Sequence, residues 1–297
     1  KVQLGSHTTG GLGAGNKPEI ASKAAEESVE LIERLINDGT RMVFITAGMG
    51  GGTGTGAAPV IARVAKDLGI LTVGIVTIPF VFEGSRKIVQ ALKGVEEISK
   101  NVDALLVINN ERLRDIYSDL TMLNAFAKAD DTLTTAANSI AEIITVHGHV
   151  NLDFADVNTT LKDGGVAIMS SGIAKGSDRI NEAIKDALHS PLLNNNDVFS
   201  SKKILINLCF GEENPLMMEE MNALHDFMSK FSKEIEVIWG AAVDESLKDE
   251  VKVTLLATGF SINSVPGIRE IKAEETKAEE LERKVKEDEE QIGRAHV

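Results

Sequence analysis

Two stretches of the chain hold residue types whose spacing could do chemistry. The first is "AGMGGGTGTGAAP", residues 47–59, with six glycines and two threonines in the ten positions from Gly48 to Ala57. Its centre, Gly50 to Gly56, offers seven consecutive backbone N–H groups and only two short side chains. Such a run can wrap an anion, above all where a helix begins. The second is Asn151-Leu152-Asp153-Phe154-Ala155-Asp156, which sets two carboxylates three residues apart at a helix start. Both acids can project from one side. The plainer reading is an N-cap and a first-turn acid, each stabilising the helix by about 1 kcal/mol or less. Composition alone favours that plainer reading, because nothing within one chain explains why two acids should approach a phosphate-binding turn.

The flanks say what must position the glycines. Arg41–Thr46 reads as a buried strand, and Leu71–Ile78 as a second. Ala57–Gly69 between them reads as a helix, with Pro59 suited to a first turn and Gly69 to a stop. The glycines therefore form the strand-to-helix turn of a βαβ unit, where open α/β sheets bind ligands.

Three ligands compete for this turn. A dinucleotide fits Gly52-x-Gly54-x-x-Ala57, but the next strand ends Val76-Thr77-Ile78-Pro79, without the acid that holds a ribose 2′-hydroxyl. A P-loop nucleotide needs a lysine after the glycines, and "GTGTGAAP" has none. The third is a nucleotide whose phosphates are wrapped by backbone amides alone. A second cluster, Gly10-Gly11-Leu12-Gly13-Ala14-Gly15, supports this third reading. It precedes a helix opened by Asn16 and Pro18, so it too presents amides at a helix start. Two such loops suit a triphosphate reached from more than one side.

The wider chain sets the frame. Its 297 residues suggest two domains of about 150 residues each. The hydrophobic fraction of 43% is that of a globular protein, and no apolar run approaches the ~20 residues of a membrane-spanning helix. Cys209 is the single cysteine, which excludes an internal disulfide, and it sits in an apolar run that reads as core. These features predict a cytosolic protein. A net charge of −14 argues against a nucleic-acid partner, which would need a basic face.

Helix and strand alternate as far as residue 109. Pro18–Asp38 and Gly84–Asn101 read as helices, and Ala104–Asn109 as a strand. A helix over Leu120–Val146 follows, spanning about 40 Å at ~1.5 Å per residue. Its apolar stripe is Leu123, Phe126, Leu133, Ala137, Ile140, Ile143 and Ile144. Beyond it, Gly165–Ser170, Lys203–Cys209, Ile235–Ala241 and Val251–Phe260 read as strands, with helices at Asp178–Leu188 and Pro215–Phe231. That half is α+β. His147-Gly148-His149 is a poor zinc site and reads as loop, and Asn194–Asp197 reads as a turn. Glu270–Gln291, with ten acids and five bases, reads as a solvated linker or loose helix. Lys1–Leu4 reads as a strand entered part-way, without an initiator methionine. Ile292–Val297 fits neither the preceding helix nor any cap, and is expected to be non-native read-through.

These motifs together resemble one family. Gly50-Gly51-Gly52-Thr53-Gly54-Thr55-Gly56 matches the signature loop of the tubulin/FtsZ family, and "AGMGGGTGTGAAPVIA" is close to its bacterial form. "GLGAGNKPE" (residues 11–19) resembles the loop facing the γ-phosphate, "PFVFEG" (79–84) the ribose-side segment, and "NLDFADV" (151–157) the loop that completes the hydrolytic site. Residues 3–265 align with the family in order and spacing, so the chain is identified as a member lacking its first strand, helix and phosphate loop. The resemblance implies an α/β, Rossmann-like parallel-sheet GTPase domain over residues 1–118. A connecting helix over 119–147 would join it to a smaller α+β domain over 148–264, with an acidic linker over 265–291 and the non-native tail over 292–297.

The same resemblance implies roles. Gly50, Gly51, Gly52, Thr53, Gly54, Thr55 and Gly56 would wrap the phosphates of GTP, helped by Ala14 and Gly15, with Mg²⁺ accompanying the nucleotide. Glu83 would accept from the ribose. Lys87 stands where many members carry arginine, with Arg86 one residue early, and Ile78 replaces a basic residue common before "PF". Phe126 would stack on guanine, and Asp130 would pair with its N1 and N2 hydrogens. On the residues alone, these two are i, i+4 helix neighbours that read as core and surface. Asp153 and Asp156, supported by Asn151, would polarise or position the attacking water at the nucleotide of the next subunit. The implied protein is a GTPase that polymerises head to tail into filaments of the bacterial division ring, cytoplasmic and at mid-cell. Its partners would be itself, and membrane anchors and regulators reached through a C-terminal tail, with no nucleic acid and no membrane insertion. The alternatives are a tubulin-like scaffold without significant turnover and, more distantly, a nicotinamide-dependent oxidoreductase.

Overall fold

A computed structural model describes residues 1–117, 121–146, 148–189 and 198–268. The expectations for His147, for the turn at Asn194–Asp197, for the acidic run and for the final six residues lie outside the described residues, whereas Gly148 and His149, expected in a loop, belong to a short strand.

Eight strands form one sheet in the order β1-β2-β3-β5-β8-β6-β7-β4. They are β1 (Met42–Gly48), β2 (Leu71–Ile78), β3 (Ala104–Asn109), β4 (Gly148–Val150), β5 (Gly165–Lys175), β6 (Lys203–Phe210), β7 (Glu236–Val243) and β8 (Glu250–Phe260). The first three and β5 run parallel, β8 lies antiparallel between β5 and β6, and β4 is a short antiparallel edge on β7. The two halves of the chain are therefore joined through the sheet itself, where Ala104, Leu105 and Leu106 pair with Gly165, Val166 and Ala167.

The helices are α1 (Ser6–Thr9), α2 (Pro18–Glu27), α3 (Val29–Ile36), α4 (Thr53–Asp67), α5 (Ser85–Ser99), α6 (Asn110–Ile116), α7 (Met122–Thr145), α8 (Phe154–Leu161), α9 (Arg179–Leu188) and α10 (Met221–Met228). Strand periodicity divides the core between two faces. Leu71, Val73 and Ile75 of β2 and Ala104, Leu106 and Ile108 of β3 pack with Ala136, Ile140 and Ile143 of α7 and Val157 and Leu161 of α8. Val76 and Ile78 of β2 and Leu105 and Val107 of β3 face Ala58 and Ala62 of α4 and Ala91, Leu92 and Val95 of α5. Every residue of β2 is buried, as expected of a parallel strand covered on both sides.

Several expected elements differ in the structure. Lys1–Leu4 joins no strand ladder; the backbone turns at Gly5 (φ +62°) into α1. The helix expected over Pro18–Asp38 breaks at Ser28, whose hydroxyl accepts the N–H of Gly5 at 2.9 Å. The helix expected from Pro215 begins only at Met221, because Arg179 takes the carbonyls of Asn214 and Pro215 at 3.1 Å each. In the α7 stripe, Leu123 is 78% exposed rather than core, while Thr132 and Ser139 are buried.

Candidate functional site

The glycine turn follows β1 directly. Met49 donates its N–H to the carbonyl of Thr77 at 3.0 Å, which keeps the chain on β2 for one residue beyond the strand. The Gly50 N–H then donates to Thr55 Oγ1 at 2.9 Å, and Gln90 Nε2 donates to the carbonyls of Gly50 and Gly51 at 3.0 and 3.1 Å. Helix α4 starts at Thr53, four residues before Ala57, where the sequence placed it. Pro59 is consequently inside the helix rather than in its first turn, and the i−4 bond to Thr55 is absent.

Of the seven amides expected to face a ligand, two are used internally. Gly50 is held by Thr55, and Gly56 donates to Gly52 O at 2.9 Å. Those of Gly51, Gly52, Thr53, Gly54 and Thr55 meet no acceptor among the described residues. They are the orphan donors of a helix start and of the turn before it. The Thr55 side chain is buried and committed to Gly50, so it builds the turn. Gly54 is required by close approach: a Cβ there would stand 2.3 Å from the carbonyl oxygen of Gly48.

The second glycine cluster reaches the same place. A Cβ on Gly52 would stand 3.0 Å from the Ala14 methyl and 3.0 Å from the Lys17 nitrogen. Ala14 is buried, and its carbonyl accepts from Lys17 N–H at 3.1 Å. Asn16 does not cap the following helix as expected. It adopts φ +62°, and Lys17 occupies the cap position without a side-chain bond. Gly15 stands beside Ala14 with open space around its Cα.

A third set of residues lies beyond the end of β2. Glu83 Oε1 accepts the N–H of Phe80 at 3.0 Å, and Glu83 Oε2 pairs with Lys87 Nζ at 3.3 Å. Lys87 also presents its carbonyl to Gly50, 2.9 Å from where a Cβ would be. Arg86 lines a groove between α2, α4 and α5 with Glu26, Arg63 and Lys93. Phe80 and Phe82 stack at 5.1 Å, and Phe126 of α7 meets them edge-on at 5.3 and 6.1 Å. Phe126 is 37% exposed rather than core, and Asp130, one turn further, is exposed. Sequence reasoning missed Asn110. It is buried at the start of α6, next to the cap residue Asn109, and its Oδ1 meets no partner among the described residues. Its only signal was its place directly after a strand of this sheet.

The acids stand elsewhere. Asp153 caps α8, its Oδ1 accepting from Ala155 N–H at 2.6 Å and Asp156 N–H at 3.3 Å. Asp156 Oδ2 accepts the N–H of Asp153 at 2.9 Å, completing a reciprocal capping box. Asn151 Oδ1 accepts the N–H of Gly148 at 3.2 Å. The plainer reading of the two acids is thus present in the structure. Phe154, between them, lies under the Arg41 guanidinium, 4.1 Å from the ring centroid. Arg41 directly precedes β1, whereas the glycine turn follows it. The acids and the turn are therefore separated by the length of β1, roughly 20 Å at ~3.3 Å per residue. Helix α7 spans the same gap, from Phe126 beside Phe80 to Ile143 in the cluster that holds Leu152 and Val157.

Among the described residues no group of three or more His, Cys, Asp or Glu side chains could hold a metal ion. These residues therefore offer no all-protein cage for Mg²⁺, an ion that commonly binds through phosphate oxygens and water.

The sequence matches the model of the tubulin/FtsZ family GTPase domain over residues 1–118, and that of the FtsZ family C-terminal domain over residues 165–261. It is 45% identical over 270 residues to a cell division protein FtsZ of Wigglesworthia glossinidia brevipalpis, covering 90% of this chain and 70% of that protein. The chain belongs to the tubulin/FtsZ family. A cell division protein FtsZ of Porphyromonas gingivalis is 60% identical over 265 residues, 89% of this chain, and the chain spans 58% of that relative's length. Among solved structures, an empty FtsZ dimer of M. jannaschii superposes with a TM-score of 0.78 at 41% identity, over 86% of this chain and 74% of that one. A GDP-bound CetZ1 monomer of Haloferax volcanii shares the fold at 20% identity, with a TM-score of 0.78 over 93% and 82% of the two chains. The α/β family fold expected from the motifs is the fold found.

Proposed function

We propose that this chain binds and hydrolyses GTP, and that copies assemble head to tail so that Asp153 and Asp156 of one subunit complete the hydrolytic site of the next. The observation that carries this is the placement of turn and acids at opposite ends of β1. One chain cannot close a gap of roughly 20 Å, but a second copy stacked on the first brings its acid end to the glycine end. Such a contact is heterologous and does not close, so it propagates into a filament. The names of the relatives and the GTPase-domain match support a place in cell division, at a cytoplasmic mid-cell ring. Membrane anchors and regulators would be reached through a C-terminal tail. No helix among the described residues is long and apolar enough to cross a membrane.

In this reading residues 1–118 hold the nucleotide, residues 119–147 connect, and residues 148–264 deliver the acids. The free amides of Gly51 to Thr55 cradle the phosphates, Ala14 and Gly15 close over them, and Glu83 and Lys87 meet the ribose side. Phe126 stacks on guanine, and Asp130 accepts from its two donors, which adenine cannot offer. The capping box holds each acid by one oxygen, through Asp153 Oδ1 and Asp156 Oδ2. The other oxygen of each carboxylate is then available to orient water for in-line attack on the γ-phosphorus, with GDP leaving. Phosphoryl transfer of this kind depends mainly on positioning and charge stabilisation. Mg²⁺ accompanying the nucleotide, held by its phosphate oxygens, would neutralise phosphate charge.

The test is the Asp156→Ala variant. It is expected to bind GTP as the parent does and to lose turnover; a matching loss of GTP affinity would contradict a site shared between subunits.

A further inference from the structure

The loop that carries Ala14 and Gly15 is almost unpacked along its length. A Cβ at Gly10, Gly13 or Gly15 would meet nothing within 4 Å. Apart from the Gln3 side chain, which a Cβ at Gly11 would meet at 3.3 Å, its conformation is imposed from its two ends. At the far end, Ala14 and Lys17 rest on Gly52. At the near end two side chains hold it, Glu27 of α2 and Ser28 directly after that helix. Glu27 Oε1 accepts the N–H of His7 at 3.0 Å, and Oε2 accepts the N–H and the hydroxyl of Thr8 at 2.9 and 2.7 Å. Beside it, the Ser28 hydroxyl accepts the Gly5 N–H, and Gly5 approaches α2 so closely that a Cβ would stand 2.2 Å from the Ala24 methyl. The carboxylate thus captures the first amides of α1, the short helix that launches the loop.

We propose that Glu27 is a positioning residue for the nucleotide: it touches no ligand itself, but its grip on α1 fixes the Gly10–Gly15 loop in the conformation that closes over the phosphates. This rests on the GTP-binding reading above. Without the grip, the open loop samples many conformations, and apparent affinity falls by the fraction of time the competent one is populated. The three donors, the backbone N–H of His7 foremost, hold the Glu27 carboxyl down at about 2, so it is ionised throughout the neutral range.

The test is binding of a fluorescent GTP analogue, with steady-state hydrolysis, by the full chain and by Glu27→Ala, Thr8→Val and Glu26→Ala. Glu27→Ala is expected to weaken binding by about three- to tenfold and to raise KM in proportion, with kcat at saturation unchanged. Thr8→Val, which removes only the hydroxyl donor, shifts both in the same direction by less. Glu26→Ala, whose partner is Arg63 on α4, binds as the parent does. Hydrogen exchange at the His7 and Thr8 amides is expected to quicken in Glu27→Ala and to slow in the parent when the analogue binds. Parental affinity in Glu27→Ala despite faster exchange, or a fall in kcat with KM unchanged, overturns the proposal. If Glu27→Ala does not fold, Thr8→Val and the exchange of the parent decide in its place. A parent that binds no GTP analogue would instead overturn the reading on which the proposal rests.

Discussion

The guanidinium of Arg41 lies 4.1 Å from the centre of the Phe154 ring, which pins the start of α8 to the amino end of β1. Asp153 and Asp156 flank that ring in sequence, and the glycine turn leaves the other end of the same strand. Strand β1 is in effect a spacer, holding the unpaired amides of the turn and the two carboxylates apart within one chain.

Capping and chemistry at Asp153 can be separated by substitution. Asp153→Asn keeps an N-cap acceptor, so unfolding free energy is expected to change by only a few tenths of a kcal/mol, while Asp153→Ala loses about 1 kcal/mol. Both are expected to lose GTP turnover. Hydrolysis in Asp153→Asn at the parent rate would reduce this residue to a helix cap.

Gly54→Ala places a methyl against the Gly48 carbonyl, 2.3 Å from its oxygen. The turn must open to admit it, at a cost of about 1–3 kcal/mol for a forced shift in a packed site. Thermal unfolding and nucleotide titration are expected to show both lower stability and weaker GTP binding. An unchanged affinity would remove the turn from the phosphate site.

How much of this was legible in the sequence depended on the range of the signal. The strand–glycine turn–helix unit was legible because glycine punctuation and β-branched runs are local, and β3 appears where its apolar run placed it. The break at Ser28 was not, since it depends on Gly5, 23 residues away, and no glycine or proline marks it. Nor was the inward turn of Thr55, which a glycine-rich loop gives no reason to expect. Asp153 and Asp156 were legible as a helix start, but their distance from the glycines is set by the Arg41–Phe154 contact, a tertiary fact. Only the family resemblance suggested that they act on another copy.

Base selection is assigned to Asp130, beside Phe126 on α7. Inosine keeps the N1 hydrogen of guanine but lacks the 2-amino group, so the parent is expected to prefer GTP to ITP by about tenfold or more, one charge-assisted hydrogen bond. Asp130→Ala is expected to bind the two alike. A preserved preference in competitive titration would move base recognition to another residue, with Asn110 the first to examine.

Lys87 and Arg86 separate cleanly. The Lys87 side chain pairs with Glu83, whereas Arg86 lines the groove between α2, α4 and α5. Lys87→Ala is expected to weaken GTP binding several-fold, about 1 kcal/mol for a lost exposed charge contact, and Arg86→Ala to leave it unchanged. The reverse ranking would contradict the assignment.

Stability toward acid is expected to depend on Glu220. The buried Arg179 guanidinium holds it at 2.7 and 3.0 Å, and this hydrogen bonding keeps the Glu220 carboxyl below its ordinary value against the opposing effect of burial. A carboxyl depressed in the folded state contributes stability in full above its unfolded value, about 4.3, and loses it as pH falls through the folded value. Glu220→Ala leaves a buried cation uncompensated and is expected to cost about 3 kcal/mol at neutral pH, with a flatter acid limb in unfolding curves. An unchanged acid limb would place the pH dependence elsewhere.

The most direct test of the shared site is the rate of GTP hydrolysis per chain, followed across a range of chain concentrations. If Asp153 and Asp156 act on a neighbour's nucleotide, the rate per chain stays near zero below a threshold and rises steeply above it. A constant rate per chain from the lowest concentration upward would mean that each chain hydrolyses alone, and would contradict the account.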